Sequence, residues 1–196
     1  MAAHEGYKDG VRASLPEIAD ITDADLRERV TDAWAMALSE TEYERIEDIR
    51  PSGDPHTPPL KNGTQAAHIR GVAITARAIV QSLEEVSGDM GVNHDLLLAC
   101  ALCHDLGKPF EFSPANRARW RGDPAAGGNP SLRHTAYGAH LAINAGLPEA
   151  VWHTAFAHDH EGDLIERSLE NTVVLWADRA WWRIHRAAGM LDLEAE

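Results

Sequence analysis

The chain has 196 residues, 44% of them hydrophobic and 25% charged, with a formal net charge of −13. That length and balance suit one globular domain with a sizeable core. The acidity argues against a nucleic-acid polymer as partner, which would need clustered Lys and Arg, but it leaves room for a small anionic substrate in a pocket of different local charge. No run approaches the ~18 apolar residues of a membrane span. The opening MAAHEGYKDG lacks an apolar signal core, and the two cysteines, Cys100 and Cys103, make no disulfide framework, so a cytoplasmic setting is expected. Both cysteines read as small buried hydrophobes, with a CxxC redox pair as the distant alternative.

In chain order, residues 1–21 read as a polar N-terminal arm, and residues 22–196 as a single helical domain. Thr22 can cap a helix in which Leu26, Val30, Trp34 and Leu38 recur at helical spacing. Residues 51–63 are dense in Pro and Gly and form a loop. Thr64 opens the next helix, whose apolar face carries Ile69, Val72, Ala76, Ile79, Val80 and Leu83, and Gly88 marks its exit. Asp95 starts a helix that is apolar nearly all round through Leu96–Cys103, and Gly107 with Pro109 stops it. Residues 107–131 read as a long loop without periodicity. Helices follow over His134–Ala145, from Pro148 to about His158, and from about Ser168 to Ala188, with HDHEGD as a polar break. No alternating strand pattern occurs. The fold class is all-α.

Two carboxylates stand where burial is expected. Asp105 follows His104 at the end of LLLACALC, and Asp178 sits inside TVVLWADRAWW. Burying an ionised carboxylate without a partner costs several kcal/mol, roughly. A salt bridge to Arg179 or Arg183 would answer for Asp178 alone. Two such sites in a chain with eleven histidines shift the balance towards a shared metal. Taken singly, His68, His134, His158 and His160 read as ordinary polar residues at helix starts and turns.

Together, the order His68, His104–Asp105, Asp178 closely resembles the HD-domain superfamily of metal-dependent phosphohydrolases. LLLACALCHDLGKP is similar to that family's signature helix, including the Gly-Lys that follows. RHTAYGAHLAINAGLPEAVWHTAFAHDHEG is similar to the segment that supplies extra histidines in dinuclear members, with Gly138-Ala139 adding to the match. The resemblance spans residues 64–185. It implies an HD-type helical bundle with an N-terminal helical appendage, in which His68, His104, Asp105 and Asp178 hold one divalent metal. Asp105 would bridge to a second, held by His134 and one histidine of HDHEG. His158 is favoured because the family's ligand usually ends this helix. His160 is the alternative, since Asp159 interrupts the commoner double-His form. The implied cofactor is one or two divalent transition-metal ions: Mn, Fe, Co, Ni or Zn. His140, His153, His94, His56, His4 and His185 match no motif position and read as surface or supporting residues.

The implied activity is hydrolysis of a small anionic substrate, a phosphate ester or nucleotide, by metal-activated water, with Asp105 and Lys108 as catalytic residues. Residues 108–133 carry Lys108, Arg117, Arg119, Arg121 and Arg133 against Glu111 and Asp123, so these cations are candidate substrate contacts. A solvated loop or a subunit contact is the competing reading. Phe110, Phe112 and Trp120 can floor a pocket or form a local core. Other function classes compatible with the resemblance are a dinuclear-iron oxygenase, in which Lys108 would contact substrate, a hydrolase of a non-phosphorylated molecule, and a silent sensing module. HDHEGDLIERS lacks the Gly-Tyr-Pro of the cyclic-dinucleotide phosphodiesterases. The Trp-rich last helix could supply a homodimer face.

Overall fold

A computed structural model describes residues 4–53 and 57–194. His56, read as a surface or supporting residue, lies outside the described residues. The α-helices in chain order are α1 (Lys8–Ser14), α2 (Ala24–Ser39), α3 (Gln65–Ser87), α4 (His94–Cys103), α5 (Lys108–Phe112), α6 (Pro114–Gly122), α7 (Pro124–Gly127), α8 (His134–Asn144), α9 (Glu149–Ala157) and α10 (Leu169–Ala187). Among the described residues no strand forms, and a single antiparallel bridge joins Leu60 to Leu191. The protein is all-α. Among the same residues no helix is long and apolar enough to cross a membrane.

Helix α4 is the axis of the bundle. Asn93 caps it by accepting from the Leu96 amide, and every residue from Leu97 to Cys103 is buried. With no polar face of its own, α4 must be covered on all sides, and α2, α3, α9 and α10 pack around it. Burying each of its leucines is worth roughly 1.5–3 kcal/mol. The buried Trp34 of α2 donates its indole N–H to the Leu102 carbonyl at 2.9 Å, satisfying one of the acceptors that a helix end leaves open. Cys100 and Cys103 are fully buried, and burial pushes the Cys100 thiol up to about 12.

Two glycines set the approaches that matter for the site. Gly107 follows the end of α4, and a Cβ there would meet the His134 carbonyl oxygen at 2.1 Å and the Gly138 amide at 2.7 Å. Its bare backbone lets the exit of α4 touch the start of α8. Gly71 on α3 leaves a slot for Trp181 of α10, whose ring would lie 1.9 Å from an added Cβ. Trp181 and Trp182 are thereby turned towards the His68 ring, at 5.8 and 4.9 Å between centroids. Trp176 is the tryptophan of this helix left exposed.

Three sequence-based expectations change. The segment expected as a polar arm is helical over Lys8–Ser14, with 3₁₀ turns at Glu5–Tyr7 and Pro16–Asp20, and it sends Val11, Leu15 and Ile18 into the core. Those apolar residues recur every three or four positions, among charged neighbours that hide the pattern. The expected loop over 107–131 holds α5, α6 and α7. Each has a proline in its first turn, Pro109, Pro114 and Pro124, and α6 and α7 are capped by Ser113 and Asp123. They are too short to show a 3.6-residue period. Asp23, rather than Thr22, caps α2, accepting from the Asp25 and Leu26 amides.

Candidate metal centre

Five elements deliver the site. Thr64 caps α3 through the Ala67 amide, which starts the helix just before Gln65 and His68 and buries both. The end of α4 delivers His104 and Asp105. The first residue of α8 is His134, whose backbone touches Gly107. His158 follows α9, and Asp178 sits midway along α10.

The Asp105 carboxylate is the hub. Its Oδ2 lies 3.2 Å from His68 Nε2 and 3.5 Å from His104 Nε2. Its Oδ1 lies 3.4 Å from His134 Nε2 and 3.5 Å from His158 Nε2. One oxygen thus serves each pair of histidines. Asp178 Oδ1 completes the first half at 3.4 Å from His68 Nε2, and it has no hydrogen-bond partner despite its burial. Gln65 donates to Asp105 Oδ2 at 2.7 Å and fixes the carboxylate plane.

The outward nitrogens fix the tautomers. His104 Nδ1 donates to the Ala101 carbonyl at 2.7 Å, and His158 Nδ1 to the Ala155 carbonyl at 3.0 Å. His134 Nδ1 lies 2.5 Å from Glu111 Oε2. With those protons outward, each Nε2 turns a lone pair into the cavity. Burial pushes His104 down to about 4 and also lowers His68 and His134, so these rings are neutral near pH 7 and free to ligate. His158 is raised: burial opposes its charge, but Asp105 outweighs burial. Burial also works to raise the Asp105 carboxyl, yet the Lys108 ammonium and the imidazoles hold it well below the usual carboxylate range. Asp178 is raised by burial.

These donors fit a cation. His68 Nε2 and His104 Nε2 stand 3.2 Å apart, and because His104 turns a lone pair to that contact, either a proton on His68 Nε2 or a cation beside both nitrogens fills it. The orphaned Asp178 oxygen faces the same place. One ligand atom each from His68, His104 and Asp178, and likewise from His104, Asp105 and His158, falls within 4.8 Å of the others. The donor atoms are nitrogen and oxygen with no sulfur, a set suited to Mn, Fe, Co, Ni or Zn.

Of the residues singled out from sequence, His68, His104, Asp105, His134, His158 and Asp178 come together. His160 does not: its side chain is 82% exposed and pairs with Asp159 and Asp163. A cavity of about 360 Å³ opens over the cluster. Lys108 lines it, but its ammonium is engaged, donating to the Ser52 carbonyl at 3.1 Å and to the Gly53 carbonyl. Arg117, Arg119 and Arg121 ride on α6, outside that lining, because α6 turns Trp120 inward. Arg133 is held by Asp159 at 2.9 Å, Glu111 at 3.2 Å and Glu161 at 3.6 Å. Phe110 stacks on Tyr137 at 3.8 Å and packs near Trp120, so these aromatics form a local core and not a pocket floor. Asp178 makes no ion pair with Arg179 or Arg183 among the described residues; its Oδ1 faces His68 Nε2 instead.

Sequence reasoning did not single out Gln65 or Glu111. Gln65 stands three residues before His68, one turn along the same helix face, which is a usable signal. Glu111 has none, since its partner lies 23 residues on. Arg179, Trp182 and Arg183 also line the cavity.

Residues 66–180, more than half of the chain, match the family model described as HD domain. That family consists mostly of metal-dependent phosphohydrolases and typically binds divalent metals. No curated protein and no solved structure matches the chain. A buried histidine–aspartate cluster at the junction of α3, α4, α8, α9 and α10 accompanies that match, and the chain belongs to the HD domain family.

Proposed function

We propose that the protein hydrolyses a small anionic substrate, a phosphate ester or nucleotide, at this cluster. The observation that carries the reading is the division of Asp105, with one oxygen towards His68 and His104 and the other towards His134 and His158. His68, His104, Asp105 and Asp178 would hold one divalent ion, and Asp105, His134 and His158 a second. Ions held there would polarise a phosphoryl group and make water nucleophilic near neutral pH.

The chain's own residues prepare the site. Gln65 and Lys108 hold the Asp105 carboxylate ionised and in one orientation. Glu111 and the backbone carbonyls of Ala101 and Ala155 keep the imidazole lone pairs inward. Trp181 and Trp182 shield His68 from bulk water, which strengthens the electrostatics inside. Lys108, engaged with Asp105 and the loop carbonyls, adds a positive charge to the cavity wall.

The test is phosphate release from a panel of nucleotides and simple phosphomonoesters, with the metal-stripped protein reloaded separately with Mn, Fe, Co, Ni or Zn. Metal-dependent release, abolished in Asp105→Ala, supports the reading. Absence of release with every metal, together with oxygen uptake by the reduced iron-loaded protein, would replace it with the oxygenase reading.

A further inference from the structure

The same cavity carries a second feature, on α10. Arg179 and Arg183 stand four residues apart, hence on one helix face, and bracket Trp182. All three line the cavity above the cluster. Among the described residues neither arginine has a carboxylate partner at ion-pair distance; Arg179 rests over the Trp176 ring at 5.7 Å. The neighbouring arginines differ. Arg133 is held by three carboxylates, and Arg167 binds Asp163 at 2.8 Å. Asp163, which feels the charge of Arg179, is therefore already paired.

Ion pairing sets the two arginines apart from the other cations near the cluster. The carboxylates lining the cavity are Asp105, Asp159 and Asp178. Asp159 is held by Arg133, which also meets Glu111 and Glu161, and Asp105 and Asp178 face the imidazoles of the cluster. Lys108 is engaged with Asp105 and loop carbonyls. Arg179 and Arg183 are therefore cavity-lining cations with no carboxylate at ion-pair distance among the described residues, in a chain of net charge −13. A second, more apolar cavity of about 140 Å³ continues from the first, sharing Gly53, Trp182 and Arg183 and adding Pro58 and Leu191.

We infer that Arg179 and Arg183 form a second anion subsite, and that the substrate carries two anionic groups joined by a short body lying along Trp182. This rests on the function proposed above and deepens it: one anionic group sits at the histidine–aspartate cluster, the other on the guanidinium pair. Arg suits this role because its planar fork grips carboxylate or phosphate through two bonds. A phosphomonoester with no second charge leaves the pair unused and binds more weakly.

Calorimetric titration of the manganese-loaded protein with phenylphosphonate and with 4-carboxyphenylphosphonate tests this without turnover. The carboxylate is expected to add roughly tenfold or more in affinity, the scale of a charge-assisted contact. Arg179→Gln and Arg183→Gln should each remove most of that gain and leave phenylphosphonate binding unchanged. Arg183 is exposed, so its replacement leaves the fold alone. Equal affinity for both ligands, a gain that survives both substitutions, or no binding of either ligand overturns the inference. The two readings separate cleanly. An arginine-dependent gain without phosphate release from any ester keeps the subsite and removes the hydrolase. Release from phenyl phosphate with no preference for its carboxylated analogue does the reverse.

Discussion

Replacing Glu111 by Ala removes the carboxylate that orients His134. Glu111 is fully buried, and its Oε2 lies 2.5 Å from His134 Nδ1. A hydrogen bond to a charged partner is worth roughly 1.5–3 kcal/mol, about one to two orders of magnitude in affinity. Outer partners of ligating histidines independently suggest roughly 10–100-fold. Arg133 keeps Asp159 and Glu161 after the change, so no guanidinium is orphaned. The expected effect is selective: the half of the site built from His134 and His158 loses metal affinity by about that factor, while the half built from His68, His104 and Asp178 is unchanged. Glu111→Gln, whose amide oxygen still accepts, should fall between. Stepwise metal titration by calorimetry, with a chromogenic chelator as competitor, resolves the two halves. Unchanged affinity at both, or an equal loss at both, would refute the reasoning.

Asp105→Ala should lose metal and turnover together while keeping its helical circular dichroism, and full turnover in this variant would place the chemistry elsewhere. Gly71→Ala drives a Cβ into the Trp181 ring and should cost about 1–3 kcal/mol, read as a lower Tm and a shifted tryptophan emission; an unchanged Tm would mean that Trp181 is not held in its slot. Asp95 ties α4 to the start of α2, accepting from Thr22 Oγ1 at 2.6 Å and from the Thr22 and Asp23 amides at 3.0 and 2.9 Å. Asp95→Ala should cost about 1–2 kcal/mol by denaturant unfolding at pH 7. The Thr22 bonds hold the Asp95 carboxyl below its ordinary value, so this stabilisation is present above the unfolded value, about 3.9, and fades as pH falls through the folded one. The difference between wild type and variant should therefore shrink under acid, and a difference that grows there would contradict the assignment.

The helices that build the cluster were legible because each carries a signal within a few residues. Thr64 and Gly88 bound α3, and the unbroken apolar run of α4 requires a central position whatever surrounds it. His104–Asp105 and Asp178 stood out as charges placed where burial is expected. The N-terminal segment was misread because Val11, Leu15 and Ile18 are outnumbered by polar neighbours, and the packing that uses them comes from α2 and α4. Short helices with a proline in the first turn, such as α5 and α7, leave no periodicity to read. The loop arginines drew attention by local charge excess, but a side chain's use depends on where its helix faces. Arg133 meets three carboxylates, all of them more than twenty residues away in sequence, whereas among the described residues Arg179 and Arg183 meet none. Pairing across that distance is a property of the packed bundle and not of any window of sequence.

The most direct measurement is a crystal structure of the manganese-loaded protein with anomalous differences collected at the manganese edge. The expected map has its peaks beside Asp105, one among His68, His104 and Asp178 and one between His134 and His158. Peaks confined to other residues, or none at the cluster in fully loaded protein, would contradict the account.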